Sequence, residues 1–440
     1  MKWDCRCKPV GGMLGVPCLA IRVSPEQAIS AIRPGSSIVF PPGCGETQTL
    51  IEALVKDSER LEGTRLFSGL LLTGYKFLQP PCRGKFKYYT WHVTRRVRDL
   101  VAGGAAEFLP ARTSQVPKIL QRLGVDVAFI HVSPPDSGGY CSLGVSASYS
   151  LPAARQAKTV VAEVNERMPR TLGECFIHLS EIDYLAEVSR PLVAYHSPDP
   201  GAVSGKICSY VAELIPDGAV VQIGFGSIPE AFTSFLKDSG LRVSVCGMGV
   251  DAVVDLAGAG MLAPFPGKGA CSVISGELMG TEKLFDFARD NPVLEMHPAS
   301  FAVNPATMGK FKNFISINSA VQVDLWGQAN SEAVGDLQIS GVGGCFDFIE
   351  GALMSPGGKT ILAVPSTNGL NGQSTIVPRL PPGTPVTAPR HSVQYVVTEY
   401  GVADLTASSL NERAEALIAI AHPEWRDRLW NEYAGLSKTI

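Results

Sequence analysis

A cysteine closing the apolar stretch Val243-Ser-Val-Cys246 is the side chain in this sequence best suited to covalent acyl chemistry. A thiol is nucleophilic even when only a few per cent is thiolate, and exchange between two thioesters is nearly isoenergetic. Its ordinary alternative is inert packing, since free cysteines are among the most buried residue types. Two glycine turns bracket the same chemistry. Gly224-Phe-Gly-Ser-Ile-Pro229 follows the apolar run Ala219–Ile223 and precedes a helix. That order leaves backbone N–H groups at a helix start, where Gly224, Gly226 and Ser227 can hold an anion or a developing oxyanion. A dinucleotide fingerprint needs a third glycine at position 229, and Pro229 stands there, so nicotinamide binding is disfavoured. Gly341-Val-Gly-Gly344 is a second side-chain-free loop that admits a ligand close to the backbone, with Gly343 and Gly344 as contacts. Lys359, in Gly357-Gly-Lys359, is either a phosphate contact acting as a point charge or a solvated turn lysine.

The histidines offer less. His92 and His131 fall near loops, and each is either a base or a satisfied structural histidine. There is no His-Glu-x-x-His pair, no Gly-x-Ser-x-Gly elbow and no His/Cys cluster at ligand spacing, so no metal site is expected.

These residues have to be positioned by short apolar strands alternating with amphipathic helices, the pattern of parallel βαβ units. Strands are predicted at Ser37–Phe40, Val125–Val132, Ala219–Ile223, Arg242–Val245, Phe314–Ile317, Ile361–Val364 and Tyr395–Thr398. Helices are predicted from about Glu46 to Lys56, over Ile207–Leu214, and over Asn411–Trp430 with a break at Pro423. The Pro/Ser/Gly-rich stretch Ser189–Gly205 reads as a junction between residues 1–195 and 206–440.

At 440 residues the chain exceeds one hydrophobic core, and 45% apolar with 18% charged residues describes a globular protein. A net charge of -3 without a long basic block argues against a nucleic-acid surface. The run Arg95-Arg96-Val97-Arg98 reads as a solvated helix face. Eleven cysteines without paired spacing suit reduced thiols in the cytoplasm. Pro17 interrupts the apolar patch Gly12–Ile21, so no signal peptide is read, and no apolar run approaches the ~18 residues of a membrane helix.

Several longer runs carry a resemblance. Ser133-Pro-Pro-Asp-Ser-Gly-Gly-Tyr-Cys-Ser-Leu-Gly-Val145, Gln222–Pro229, Ser316–Gln328, Gly341–Phe348, Val396–Ala403 and Ile418–Pro423 occur in one order. Together they resemble the acetyl-CoA hydrolase and 4-hydroxybutyrate CoA-transferase family over about Ile32 to Leu429. The resemblance implies an α/β fold of two tandem open α/β domains with parallel-rich sheets and an active site in the interdomain cleft. It also implies acyl-CoA as substrate, no metal, and a homodimer or larger assembly. Family members use a glutamate that attacks acyl-CoA and stores CoA as a thioester. Matching Asp251 and Asp255-Leu256 to the family's pattern puts Gly247 at that position, and a one-residue slip puts Cys246 there. Either way a carboxylate is missing, and the next acids, Glu277 and Glu282, lie on later elements. At Phe301-Ala-Val-Asn-Pro305, where the family has an oxyanion-binding asparagine, Asn304 serves or Val303 has replaced it.

Three functions follow from that vacancy. The first is acyl transfer from acyl-CoA, or from an acyl carrier protein, to an amine, alcohol, thiol or water, by direct attack or through a Cys246 acyl-enzyme in specialised biosynthesis. The second is conventional CoA transfer between carboxylic acids with another acid recruited. The third is a CoA-binding protein without turnover.

Overall fold

The computed structural model describes residues 20–197, 201–224, 228, 231–232, 235–236, 239–369 and 371–436. Its strands explain themselves by burial. Val127–Val132 is buried at every position, with Val127 and Phe129 in one apolar cluster and Ala128, Ile130 and Val132 in another. Successive side chains of a strand point to opposite faces, so a strand apolar at both parities needs cover on both. Parallel sheets wrapped by helices supply that cover.

The first sheet runs Ile21–Arg22, Tyr184–Val188, Thr159–Asn165, Val127–Val132, Ser37–Val39, Arg65–Ser68, Lys87–Thr90, Glu107–Phe108, all parallel. The second runs Leu172–Gly173, Leu294–Met296, Val273–Met279, Ser244–Val250, Val220–Ile223, Phe314–Asn318, Lys359–Ala363, Tyr395–Thr398, Gly401–Asp404. Only its last pair is antiparallel. From Val220–Ile223 the chain first adds three strands on one side, then returns to add Phe314–Asn318 on the other. Such a reversal opens a crevice at the C-terminal ends of the two strands that flank it, which is where open α/β sheets hold ligands.

Several boundaries differ from the sequence reading. The helix expected from Glu46 begins at Gln48, because the Glu46 carboxylate is engaged with Leu72 and Thr73 instead. The helix expected at Ile207 begins at Gly201. The helical region expected over Asn411–Trp430 is broken at Pro423 as predicted: one helix spans Leu410–Ala419 and a second, Pro423–Leu436, opens on the proline, a residue whose missing N–H costs nothing at a first turn. The strand expected over Arg242–Val245 is Ser244–Val250, carried through two glycines by its ladder with Val273–Met279.

Candidate active site

A cavity of about 340 Å³ opens at the reversal in the second sheet, lined there by Gln222, Ile223, Gly224, Ile317, Asn318 and Ser319. Gly247, Met248, Gly276 and Glu277 form another wall, and the Ser340–Cys345 loop with Phe348 closes a third side. His92, Thr113 and Ser148 arrive from the first sheet's half. The volume falls in the lower part of the ~300–1,000 Å³ range of ligand pockets, enough for a thioester with a short acyl group. Gln222 ties the crevice together, its Oε1 accepting the Ile317 N–H at 3.2 Å.

Backbone pairing across the two halves fixes this geometry. Thr113 N–H donates to Gly343 O at 2.9 Å, and Ala147 and Ser148 N–H both donate to Gly276 O at 3.1 and 3.0 Å. Leu278 N–H donates to Val145 O at 2.8 Å. Arg112 pairs with Asp347 at 2.9 Å and Glu350 at 2.6 Å. Arg98, from the arginine run, reaches the Ile339 carbonyl at 3.4 Å. Gly341 sits so close to the first half that a Cβ there would lie 2.3 Å from Trp91 O. No other residue fits at that distance.

The structure separates the sequence candidates. Gly224, Gly247, Gly343, Gly344 and His92 all border the cavity. The His92 ring abuts Gly343, and burial lowers its imidazole to about 4, so it is neutral at physiological pH. Gly226 and Ser227 lie outside the described residues. His131 does not line the cavity; its ring is held by Glu46 O and by Asn165 Nδ2, a satisfied structural histidine.

Three candidates lie outside the cavity lining. Cys246 is 1% exposed and packs away from the cavity with Phe265, Cys271 and Phe314. Its Sγ donates to Ala302 O at 3.7 Å, and burial pushes the thiol up to about 12, so thiolate is scarce. Strand alternation is the cause, since Val245 faces one core and Cys246 the other. Cys246→Ala is therefore expected to leave thioester turnover within about twofold of wild type, measured as kcat/KM, and intact mass should show no acyl adduct in either protein. Asn304 is spent on a helix cap: its Oδ1 accepts the Ala306 N–H at 3.0 Å and its Nδ2 donates to Ser300 O at 2.9 Å. Val303 borders the cavity in its place. Lys359 sits level with Ile315, three residues below the Asn318–Leu362 pair at the cavity, hence about 10 Å down the sheet. Its ammonium donates to Leu214 O at 2.7 Å and lies over the Tyr395 ring.

Sequence reasoning passed over Glu277. In the ladder with Ser244–Val250, Gly247 pairs with Ser275 but Met248 pairs with Glu277, leaving Gly276 as an extra residue. That is a β-bulge, a device that re-aims a side chain. Parity records the switch: Val273 and Leu278, five residues apart, face the same cluster, while Ile274 faces the opposite one. Unbulged, Glu277 would have pointed into the core that Leu278 fills. With the bulge it borders the cavity, beside the Ser146 and Ser148 hydroxyls. Burial holds its carboxyl well above the usual carboxylate range, with the two serines opposing. The signal available in the sequence was Gly276, since an isolated glycine inside a strand marks a bulge.

Comparison with known proteins fits this geometry. Residues 21–195 match the family model described as acetyl-CoA hydrolase/transferase N-terminal domain, and residues 280–433 match the C-terminal domain of the same description. The chain is 44% identical over 418 residues to 4-hydroxybutyrate coenzyme A transferase of Clostridium kluyveri, covering 93% of this chain and 96% of that protein. It is 36% identical to succinyl-CoA:cyclohexane-1-carboxylate CoA transferase of Geobacter metallireducens, covering 92% and 93%. Among solved structures, RipA from Yersinia pestis superposes with a TM-score of 0.88 at 31% identity, covering 94% and 97% of the two chains. The 4-hydroxybutyrate CoA-transferase of Porphyromonas gingivalis does so with a TM-score of 0.79 at 33% identity, covering 93% and 96%.

Proposed function

Because the chain belongs to the acetyl-CoA hydrolase/transferase family, we propose that it transfers the acyl group of a CoA or carrier-bound thioester to a non-carboxylate acceptor. That acceptor is an amine, alcohol, thiol or water, and it attacks the thioester directly. One observation carries the reading: position 247 brings only backbone to the cavity, and the Phe348 ring stands 3.0 Å from where its Cβ would be. No side chain at that site can store an acyl group or CoA. With the Cys246 thiol packed away, direct attack is the route that remains of the two. Glycine-lined backbone at Gly224, Gly343 and Gly344 supports it by offering polar groups to a tetrahedral oxyanion, an interaction worth about 3–4 kcal/mol per donor.

Initial rates with acetyl-CoA or butyryl-CoA and a varied acceptor test this. Direct transfer through a ternary complex gives intersecting double-reciprocal lines, and water as acceptor gives free CoA and free acid. Parallel lines, together with CoA exchange between carboxylic acids, would overturn it. That outcome is the second reading, favoured by the likeness to CoA transferases and by the presence of one carboxylate, Glu277, in the cavity wall.

A further inference from the structure

The cavity holds one acid to which direct transfer assigns no role so far. Among the described lining residues Glu277 is the sole carboxylate, and there is neither lysine nor arginine to neutralise it. Its Oε1 is sealed from solvent without a hydrogen-bond partner among the described residues. An unpaired buried acceptor is costly, and native structures hold few of them without a reason. The surroundings are built rather than incidental. A bulge at Gly276 turns the side chain to the cavity, and the Val145–Ser148 segment pairs antiparallel with this strand from the other half, bridging Ser146 to Glu277. Across the ladder Glu277 pairs with Met248, which also lines the cavity, and the neighbouring Gly247 brings no side chain to that wall.

We infer that Glu277 is the general base of this active site, taking the proton from the acceptor as it attacks the thioester. The inference rests on the direct-transfer reading above, in which an amine, alcohol, thiol or water has a proton to lose. The acceptor X–H adds to the thioester carbonyl carbon, forming the C–X bond while its proton passes to the Glu277 carboxylate. The tetrahedral oxyanion then collapses, the C–S bond breaks, and Glu277 returns the proton to the departing sulfur. Acyl-CoA and HX become acyl-X and free CoA, with no other reactant. Burial raises the carboxyl above the usual carboxylate range, the direction that strengthens its carboxylate as a proton acceptor.

The test uses acetyl-CoA and butyryl-CoA with water or hydroxylamine as acceptor, in wild type, E277Q, E277D and E277A. The expected result is that E277Q loses about 10²–10⁴-fold in kcat with KM for the thioester within a few-fold. E277D should retain part of the rate, and added formate should rescue E277A, a response that a merely structural residue does not give. CoA-dependent thermal stabilisation in each variant reports folding and binding separately from chemistry. Wild-type turnover that persists within about threefold in E277Q overturns the assignment. So does a borohydride-trapped CoA thioester at Glu277, which would make it a nucleophile. Wild-type protein that neither binds CoA nor turns over a thioester overturns the functional reading, and with it the assignment.

Discussion

Asp347→Ala is expected to lower unfolding stability by about 3 kcal/mol, the low end of the ~3–5 kcal/mol that breaking a buried ion pair costs. Asp347 has no exposure, and its carboxylate accepts from Arg112 Nε at 2.9 Å, Ser114 N–H at 3.0 Å and Ser114 Oγ at 2.6 Å. Removing it strands Ser114 and leaves Arg112 with Glu350, which is 42% exposed and screened. Glu350→Ala should therefore cost less than about 1 kcal/mol, and urea unfolding of both variants checks the contrast. The pH dependence has a definite sign. Burial outweighs the Ser114 and Arg112 contacts and raises the Asp347 carboxyl above its ordinary 3.8. The folded state thus holds that proton more tightly than the unfolded one. Wild type loses this contribution as pH climbs from the unfolded value through the folded one, so its advantage over Asp347→Ala narrows in that direction. A function follows too, because the Arg112–Ser114 segment also anchors the Gly343 loop through Thr113. KM for the thioester should rise in Asp347→Ala.

This ion pair shows where sequence reasoning stops. Arg112 and Asp347 are 235 residues apart, and no local periodicity connects them. What was legible is what local physics dictates. Val127–Val132 reads as a buried strand because it is apolar at both parities, and that alone calls for a parallel sheet with cover on both faces. Gly224, Gly343 and Gly344 were legible because glycine has few other reasons to cluster beside strand ends. The candidates placed outside the cavity lining share a cause. Cys246, Asn304 and Lys359 were chosen for their chemistry, and their directions depend on strand parity, cap formation and position along a strand, none of which residue type encodes. Glu277 is the converse: one extra residue at Gly276 reverses its face, so a reading by simple alternation sends it to the core.

Gly247→Glu tests the same wall from the opposite strand, and it is expected to destabilise the fold by about 2–6 kcal/mol. Gly247 has φ +115°, a region costing a non-glycine residue about 1–3 kcal/mol, and the ring of Phe348 must yield by a few tenths of an ångström to admit a Cβ. Crowding of that kind adds about 1–3 kcal/mol. Phe348→Ala alone opens a void and should cost about 3–5 kcal/mol. The two changes relieve one another, since the space vacated by the ring is the space the new side chain needs. The double variant is accordingly expected to be more stable than the sum of the singles by about 0.5–3 kcal/mol. Such coupling, read from denaturant midpoints, reports contact between position 247 and Phe348 independently of any activity. Activity reports the chemistry. In the double variant the introduced carboxylate is expected to border the cavity, and borohydride is expected to trap CoA on it but on no residue of wild type. A double variant that couples in stability yet yields no adduct would mean that the carboxylate vacancy at 247 is not what blocks covalent storage of CoA in this chain.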